Sequence, residues 1–273
     1  MSGARAAPKR NDAARGVRRR PRTGPAAAGE TVWLFGLHAV RDALANPRRV
    51  KRRLVLTKNA ADRLGEEALA AAGVAPEMAE PRRFHAPLDP GSVHQGAALE
   101  VLPLDWGAPE NVCTPTAADP APLVLLLDRV TDPHNAGAAL RSAAVFGAAA
   151  VIAPRRHAAP ETGALAKAAS GALERQPYLR VQNLSRTMAA LSELGYAIIG
   201  LEGSGEIALG AGVAEATGRP LALALGAEGP GLRPGVRAAC DRLARIPAAG
   251  DFRSLNVSNA AAIALYAARA TGD

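Results

Sequence analysis

The sequence is poor in aromatic residues and in cysteine. Aromatics make up 3% of the chain and hydrophobic residues together 48%, so alanine, leucine and valine must fill most of any core. The two cysteines, Cys113 and Cys240, lie far apart and form no Cys-x-x-Cys pair. A disulfide framework is therefore not expected, and the cysteine usage predicts a reducing, cytoplasmic location.

The sequence also lacks a long apolar run. No stretch of about eighteen apolar residues exists, so no membrane-spanning helix is expected. The N-terminus has no apolar segment like that of a secretory signal. Its arginine content resembles that of a mitochondrial transit peptide, but Val17 is the one large aliphatic residue besides Met1 in residues 1–30. An amphipathic helix cannot form there, and we favour a cytoplasmic protein.

Several catalytic signatures are absent as well. The five histidines show no metal-ligand spacing, so we expect no metal site. No serine lies in a G-x-S-x-G elbow, and no Walker-type phosphate loop is present. These absences argue against a metalloenzyme, an α/β-hydrolase and a P-loop nucleotide hydrolase.

Positive charge is concentrated at the N-terminus. The formal net charge is +8, and residues 1–30 hold eight lysine and arginine residues against Asp12 and Glu30. This segment is rich in alanine, arginine, proline and glycine without periodicity, so it cannot bury enough apolar surface to fold. We predict a disordered basic tail that attracts polyanions without selecting a sequence.

Three segments follow the tail. Residues 31–104 alternate helical and strand patterns and predict a small α/β unit. Residues 105–120 are rich in proline and lack periodicity, which predicts a semi-rigid linker. Residues 121–273 predict a second, larger α/β domain. In the first unit we predict strands at 53–57 and 97–102 and helices at 34–44 and 61–72.

The second domain has the pattern of a parallel sheet covered on both faces, because short apolar strands alternate with helices. Its last helix has almost no polar face between residues 260 and 268, so we expect that helix to be buried. The predicted strands are 123–127, 149–153, 178–181, 196–201, 221–225 and 243–246. The predicted helices are 136–146, 161–169, 184–194, 231–242 and 255–270.

Ligand sites on such sheets gather in the loops after the carboxyl ends of the strands. The loop after the first strand leads into residues 132–141, DPHNAGAALR. Asn135 lies near the start of a helix, where it would serve as a cap or as a site residue. Arg141 stands in a small, apolar helical run, where its guanidinium either reaches solvent or meets an anion.

Two further loops are unusual. Residues 226–231, GAEGPG, contain three glycines that let backbone approach a ligand closely, although such a loop is more often only a turn. The last strand is followed by residues 246–250, IPAAG, and 254–258, SLNVS. The second of these holds more hydrogen-bonding side chains than one helix cap needs. It is consistent with a pocket for a polar small molecule or with a well-capped helix.

Together these three loops resemble the three motifs of the TrmH-type (SpoU) RNA ribose 2'-O-methyltransferases of the SPOUT superfamily. Residues 35–40, FGLHAV, and 94–99, HQGAAL, are similar to the two ends of that family's L30e-like substrate-binding domain. The resemblance implies an L30e-like RNA-binding unit over residues 31–104 and a SPOUT domain over residues 121–273. It implies a parallel sheet with a deep trefoil knot, bound S-adenosylmethionine, and a homodimer with its sites at the subunit interface.

The resemblance also implies the site residues. Cofactor contacts would fall at Gly226, Ile246 and Leu255, with Glu228 and Pro247 beside them. Five residues would be catalytic: Arg141, Asn135, Glu228, Ser254 and Asn256. Of these, Arg141 would polarise the ribose or clamp it and its phosphate.

The order of domains most resembles the branch of the family that methylates a guanosine ribose of 23S rRNA. The implied activity is therefore 2'-O-methylation of structured RNA. A tRNA ribose methyltransferase is the main alternative. A ribosome-binding factor without catalysis and a dehydrogenase on a Rossmann sheet are weaker ones, since the glycine spacing is not that of a dinucleotide-binding loop.

Overall fold

The computed structural model describes residues 31–250 and 254–270. The predicted disordered tail, residues 1–30, lies outside the described residues. Within them, no helix is long and apolar enough to cross a bilayer.

The N-terminal unit is a four-stranded sheet with helices on it. Its strand order is β1-β4-β2-β3, and β1 and β2 both pair antiparallel with β4. The strands are β1 (Val32–Phe35), β2 (Lys51–Leu56), β3 (Pro76–Met78) and β4 (Ala97–Val101). The helices are α1 (Leu37–Ala45), α2 (Lys58–Leu64) and α3 (Glu66–Ala70).

Two predictions for this unit were wrong in detail. The helix predicted at 34–44 is preceded by a strand, because β1 pairs with β4 and Gly36 then turns the chain at φ 90° into α1. The helix predicted at 61–72 is two short helices, because Gly65 at φ 85° breaks the run.

The predicted linker, residues 105–120, contains a short helix and packs on the second domain. The helix α4 (Pro109–Val112) is followed by Cys113, which is fully buried. The Tyr196 hydroxyl donates a hydrogen bond of 2.7 Å to the Cys113 carbonyl. Burial raises the pKa of the Cys113 thiol to about 12, so this cysteine is a packing group rather than a nucleophile.

The second domain contains a seven-stranded parallel sheet in the order β7-β6-β5-β10-β8-β11-β9. Its central strands are continuous apolar runs buried on both sides, as a parallel sheet between two helical layers requires. The strands are β5 (Leu123–Asp128), β6 (Ala150–Pro154), β7 (Tyr178–Val181), β8 (Ala197–Leu201), β9 (Ile207–Ala208), β10 (Leu221–Gly226) and β11 (Arg242–Arg245).

Helices cover both faces of this sheet. One face carries α5 (Pro133–Val145), α6 (Gly163–Ala169), α8 (Leu209–Glu215) and α10 (Val257–Ala270), and the other carries α7 (Leu184–Glu193) and α9 (Pro234–Arg237). The helix predicted at 231–242 is reduced to the single turn of α9. The prediction also omitted β9 and α8.

The last helix is buried on one side only. Ala261, Ala264 and Leu265 of α10 are fully buried, whereas Ile263 is 39% and Tyr266 61% exposed. The expectation of a wholly buried helix is therefore wrong for the single chain. Because Tyr266 lies edge-on to Phe146, the exposed apolar side of α10 is continuous with the end of α5.

A buried charge cluster joins the two domains. Arg49, 3% exposed, donates through Nε and Nη2 to the carboxylate of Glu174 and through Nη1 to Glu161 and to the carbonyl of Leu102. Asn46 donates to the same Glu174 carboxylate at 2.8 Å. Asn46 and Arg49 belong to the N-terminal unit and both glutamates to the second domain, so this cluster fixes how the two units sit together.

Candidate active site

Three side chains predicted from separate loops meet in one hydrogen-bond network. Asn256 Nδ2 donates to Glu228 Oε1 at 2.7 Å and to Asn135 Oδ1 at 2.8 Å. Asn135 Nδ2 donates to the same Glu228 oxygen at 3.2 Å. Each residue follows a different strand, and the carboxyl ends of parallel strands share one edge of the sheet. The prediction that these three act at one place agrees with this geometry.

Helix capping assigns separate tasks to these residues. Asp132 caps α5 by accepting hydrogen bonds from the backbone of His134 and Asn135, so the Asn135 side chain is not used as the cap. Asn256 caps α10 through Oδ1, which accepts from the backbone of Ser258. Its Nδ2 group remains available for the network.

The loop after β10 is closed by its own backbone. Gly231 N donates to the Ala227 carbonyl at 3.0 Å, and a Cβ on Gly226 would lie 2.0 Å from the carbonyl carbon of Gly231. Gly229 and Gly231 have φ values of 83° and 67°. The glycines are therefore required by the shape of the loop itself, and Gly226 leaves no room for a side chain even before a ligand is considered.

An ion pair between partly exposed Arg233 and buried Asp128 ties this loop to the first one. Asp128, at the end of β5, is fully buried and accepts from Arg233 N at 2.9 Å and from Arg233 Nε at 2.7 Å. A buried carboxylate is tolerated when it is paired with a cation and hydrogen-bonded. The pair holds the loops after β5 and β10 in register, which keeps Asn135 and Glu228 within hydrogen-bonding distance.

A cavity of about 360 Å³ opens beside the network. Of the predicted cofactor residues, Gly226, Glu228, Ile246 and Leu255 line it, and so does the predicted catalytic residue Ser254. Pro247, Asn135, Asn256 and Arg141 do not line it. Sequence reasoning missed one wall, residues 201–204, which follow β8. This wall depends on the position of β8 between β10 and β11 in the sheet, and the sequence does not show that order.

The cavity fits a nucleoside that carries a positive charge. Its volume lies within the range of about 300–1,000 Å³ that small-molecule sites occupy. One side is apolar, with Leu225, Ile246 and Leu255, and the other presents the backbone of residues 226–231. Glu202 and Glu228 both line the cavity, but Glu202 is paired with Arg237, so Glu228 is the carboxylate that would favour a cationic ligand. S-adenosylmethionine combines an adenosine with a sulfonium cation and suits this lining.

Arg141 stands apart from the network. It is exposed on α5, and its side chain makes no hydrogen bond or ion pair with any residue in the described part of the chain. It lies six residues beyond Asn135, which is about 9 Å along the helix axis and about 120° around it. A single chain therefore does not bring Arg141 next to the other four residues predicted to be catalytic.

Comparisons with known proteins match both the N-terminal unit and the second domain. The sequence model of the SpoU rRNA Methylase family matches residues 122–266, and a model described as RNA 2'-O ribose methyltransferase substrate binding matches residues 33–106. The 23S rRNA (guanosine-2'-O-)-methyltransferases RlmB of Photobacterium profundum and Escherichia coli K12 are 41% and 40% identical over 238 residues. Each alignment covers 86% of this chain and 96% of the relative.

Solved structures show the same fold. The SpoU methyltransferase AviRb from Streptomyces viridochromogenes, in complex with the cofactor AdoMet, matches with a TM-score of 0.74 and 23% identity over 88% of this chain and 90% of its own. The AdoMet-bound rRNA methyltransferase from Sinorhizobium meliloti matches with a TM-score of 0.68 and 24% identity over 88% and 87%. With both halves of the chain matched and the three loops joined at one site, this protein belongs to the SpoU rRNA methylase family.

Proposed function

We propose that this protein transfers a methyl group from S-adenosylmethionine to the ribose 2'-hydroxyl of a guanosine in 23S rRNA. The observation that carries the proposal is the convergence of Asn135 and Asn256 on Glu228, which lines the glycine-walled cavity. Relatives named for this activity are about 40% identical over nearly their whole length. A ribosomal substrate also agrees with the cytoplasmic location expected from the cysteines.

The residues of the cavity bind and orient the cofactor. S-adenosylmethionine supplies an electrophilic methyl carbon, so the protein has to align the ribose hydroxyl with it and receive a proton. Gly226, Ile246 and Leu255 would hold the cofactor through backbone and apolar contacts, with Pro247 next to Ile246 in the chain. Glu228 and Ser254 lie where they can orient the reacting groups.

We further propose that the active unit is a homodimer with Arg141 at its interface. Val145 is 78% exposed, and with Ile263 and Tyr266 it forms an apolar patch next to Arg141. Covering this patch with a second copy would bury it and bring Arg141 toward the partner's site. There a guanidinium would clamp a phosphate and stabilise the developing alkoxide.

The fold proposal includes the trefoil knot and the L30e-like character of residues 31–104. Support for the knot comes from the path of the chain after β11. β11 pairs with β8 and β9, yet Asn256 returns to Asn135 and α10 packs on α5. In this division, residues 105–120 connect an RNA-binding unit to a catalytic domain at residues 121–273.

Methyl transfer to transcribed RNA tests the function. Purified protein is incubated with methyl-labelled S-adenosylmethionine and unmodified 23S rRNA or tRNA, and ribose methylation is mapped. We expect label at one guanosine ribose of 23S rRNA. Label in tRNA alone would favour the tRNA alternative, and cofactor binding without transfer to either RNA would favour a factor that lacks catalysis.

A further inference from the structure

The loop between β6 and α6 is held unusually firmly. Arg180 Nη1 donates to the Ala159 carbonyl at 2.7 Å, and Nη2 donates to the carbonyls of Pro154 and Arg155 at 3.1 and 2.8 Å. The Tyr178 hydroxyl also donates to the Ala159 carbonyl at 2.7 Å. One guanidinium and one phenol thus fix the backbone of residues 154–159.

This rigid loop presents cationic side chains to solvent. Arg155, Arg156 and His157 are all exposed, and His157 has a φ of 60°, which a residue with a side chain adopts rarely. Arg156 and His157 make no side-chain hydrogen bond or ion pair with the described residues. Arg129, after β5, is likewise exposed at a φ of 63°. Such backbone conformations persist where the surrounding structure enforces them, often at ligand sites.

A cleft of about 660 Å³ lies between this loop and the N-terminal unit. Trp33, Leu88 and Ser92 line it from the N-terminal unit, and Thr131 and His157 from the second domain. Thr131 lies in the loop that leads into α5, four residues before Asn135 of the candidate active site. The cleft therefore opens beside the site and combines an aromatic wall, hydroxyl groups and a basic rim.

The buried charge cluster connects the two walls of the cleft. Glu161, which Arg49 contacts, lies between Pro160 and Thr162, and both of these line the cleft. The opposite wall belongs to the unit that carries Arg49. Asp89 belongs to the lining, and Asp132 at the cap of α5 lies between Thr131 and Pro133, which also line the cleft. The side chains of Arg129 and Arg156 make no hydrogen bond or ion pair with the described residues, so they balance these acidic groups and the rim remains receptive to anions.

We propose that this cleft is a subsite for an unpaired nucleotide of the substrate RNA next to the methylated one, an inference that rests on the proposed function. Single-stranded RNA is recognised by stacking its splayed bases on aromatic side chains while basic side chains contact the phosphates. Trp33 supplies the apolar wall for the base. Arg156 and Arg129 contact the phosphates, and His157 with Ser92 and Thr131 offers hydrogen bonds to base edges.

Two variants separate the cleft from general electrostatics. Arg156→Ala removes a rim charge, and Ser92→Phe fills the cleft from an exposed loop. Arg186→Ala is the matched control, because Arg186 is exposed on α7, on the other face of the sheet, without a side-chain hydrogen bond or ion pair in the described region. Binding of in vitro transcribed 23S rRNA is measured over a range of salt, together with S-adenosylmethionine affinity and thermal melting.

We expect Arg156→Ala to weaken RNA binding and to lower the slope of log affinity against log salt by about one. We expect Ser92→Phe to weaken RNA binding roughly five- to hundredfold, the effect of losing one stacked base. Melting temperature and S-adenosylmethionine affinity should stay unchanged in both variants. Arg186→Ala should bind RNA as the wild type does.

The proposal is overturned if Arg156→Ala and Arg186→Ala weaken RNA binding equally, or if Ser92→Phe binds RNA normally. These readouts do not require methyl transfer. A wild-type protein that binds RNA through the cleft but transfers no methyl group would therefore refute the proposed function and leave the subsite standing. Normal methyl transfer by the wild type, together with unchanged RNA binding in both cleft variants, would refute the subsite and leave the proposed function standing.

Discussion

Replacing Arg49 by Met tests the charge cluster between the two domains. The Arg49 side chain is fully shielded from solvent, and it pairs with Glu174, whose side chain is 4% exposed, and with Glu161, 11% exposed. Methionine retains most of the apolar stem but removes the guanidinium. Two nearly buried carboxylates then lose the cation that both contact, and the Leu102 carbonyl loses its donor.

The expected loss is about 3–5 kcal/mol in the free energy of unfolding at neutral pH, the usual cost of breaking a buried charge pair by removing one partner. The loss depends on pH. Burial raises the pKa of Glu161 above its ordinary value even though Arg49 opposes the shift. A carboxyl group whose pKa is raised in the folded state stabilises the fold fully at a pH below its unfolded-state pKa. That stabilisation is lost as the pH rises through the folded-state pKa. Without Arg49 that pKa rises further, so the deficit should be larger at pH 8 than at pH 5.

Urea denaturation of both proteins at the two pH values measures this effect. Removing the exposed Arg53, whose pair with Glu77 is open to solvent, is the control and should cost far less. A combined variant, Arg49→Met with Glu161→Gln and Glu174→Gln, should recover much of the stability because no buried charge is left unpaired. Equal stability of Arg49→Met and wild type at pH 8 would refute this reasoning.

Three further changes probe the site and the tail. Arg141→Ala and Arg141→Lys should remain folded dimers with normal S-adenosylmethionine affinity. The rate of single-turnover methyl transfer should fall at least about a hundredfold in both. Substantial activity in the lysine variant would rule out a bidentate clamp. Gly226→Val should lose cofactor affinity in calorimetry because its side chain overlaps Gly231, and normal affinity in a folded variant would contradict that geometry. Deleting residues 1–30 should leave cofactor affinity unchanged and lower RNA affinity most at low salt, whereas lost cofactor binding would count against a purely electrostatic tail.

The sequence identified the loops of the site but not the reason for each residue. The three loops stood out because polar side chains and glycines follow apolar strands at three places, and the resemblance to the SpoU family then implied Asn135, Glu228 and Asn256 as site residues. Gly226 was expected to make space for a ligand, yet the structure shows that its own loop requires the space. The wall at residues 201–204 was missed because it depends on β8 lying beside β10 and β11, a spatial order that pairs residues far apart in the chain.

The differences in secondary structure have local causes. The run at residues 32–35 is too short for periodicity to separate strand from helix, and its pairing with β4 decides the outcome. Helix α8 contains Gly210 and Gly212, which lowered its helical signal, and Gly212 packs against Ile207 and Ile199 where a Cβ would be crowded. The cluster of Arg49 with Glu174 joins residues 125 positions apart, so only the folded chain reveals it.

The most direct test of the account is methyl transfer by wild-type protein and Glu228→Ala to unmodified 23S rRNA. Glu228 accepts hydrogen bonds from both Asn135 and Asn256, so its removal separates the loop after β10 from the other two and leaves only the hydrogen bond from Asn256 to Asn135. We expect the wild type to methylate the 2'-oxygen of one guanosine, and we expect the variant to bind RNA normally but to transfer methyl groups far more slowly. Transfer to a base, or undiminished transfer by Glu228→Ala, would contradict it.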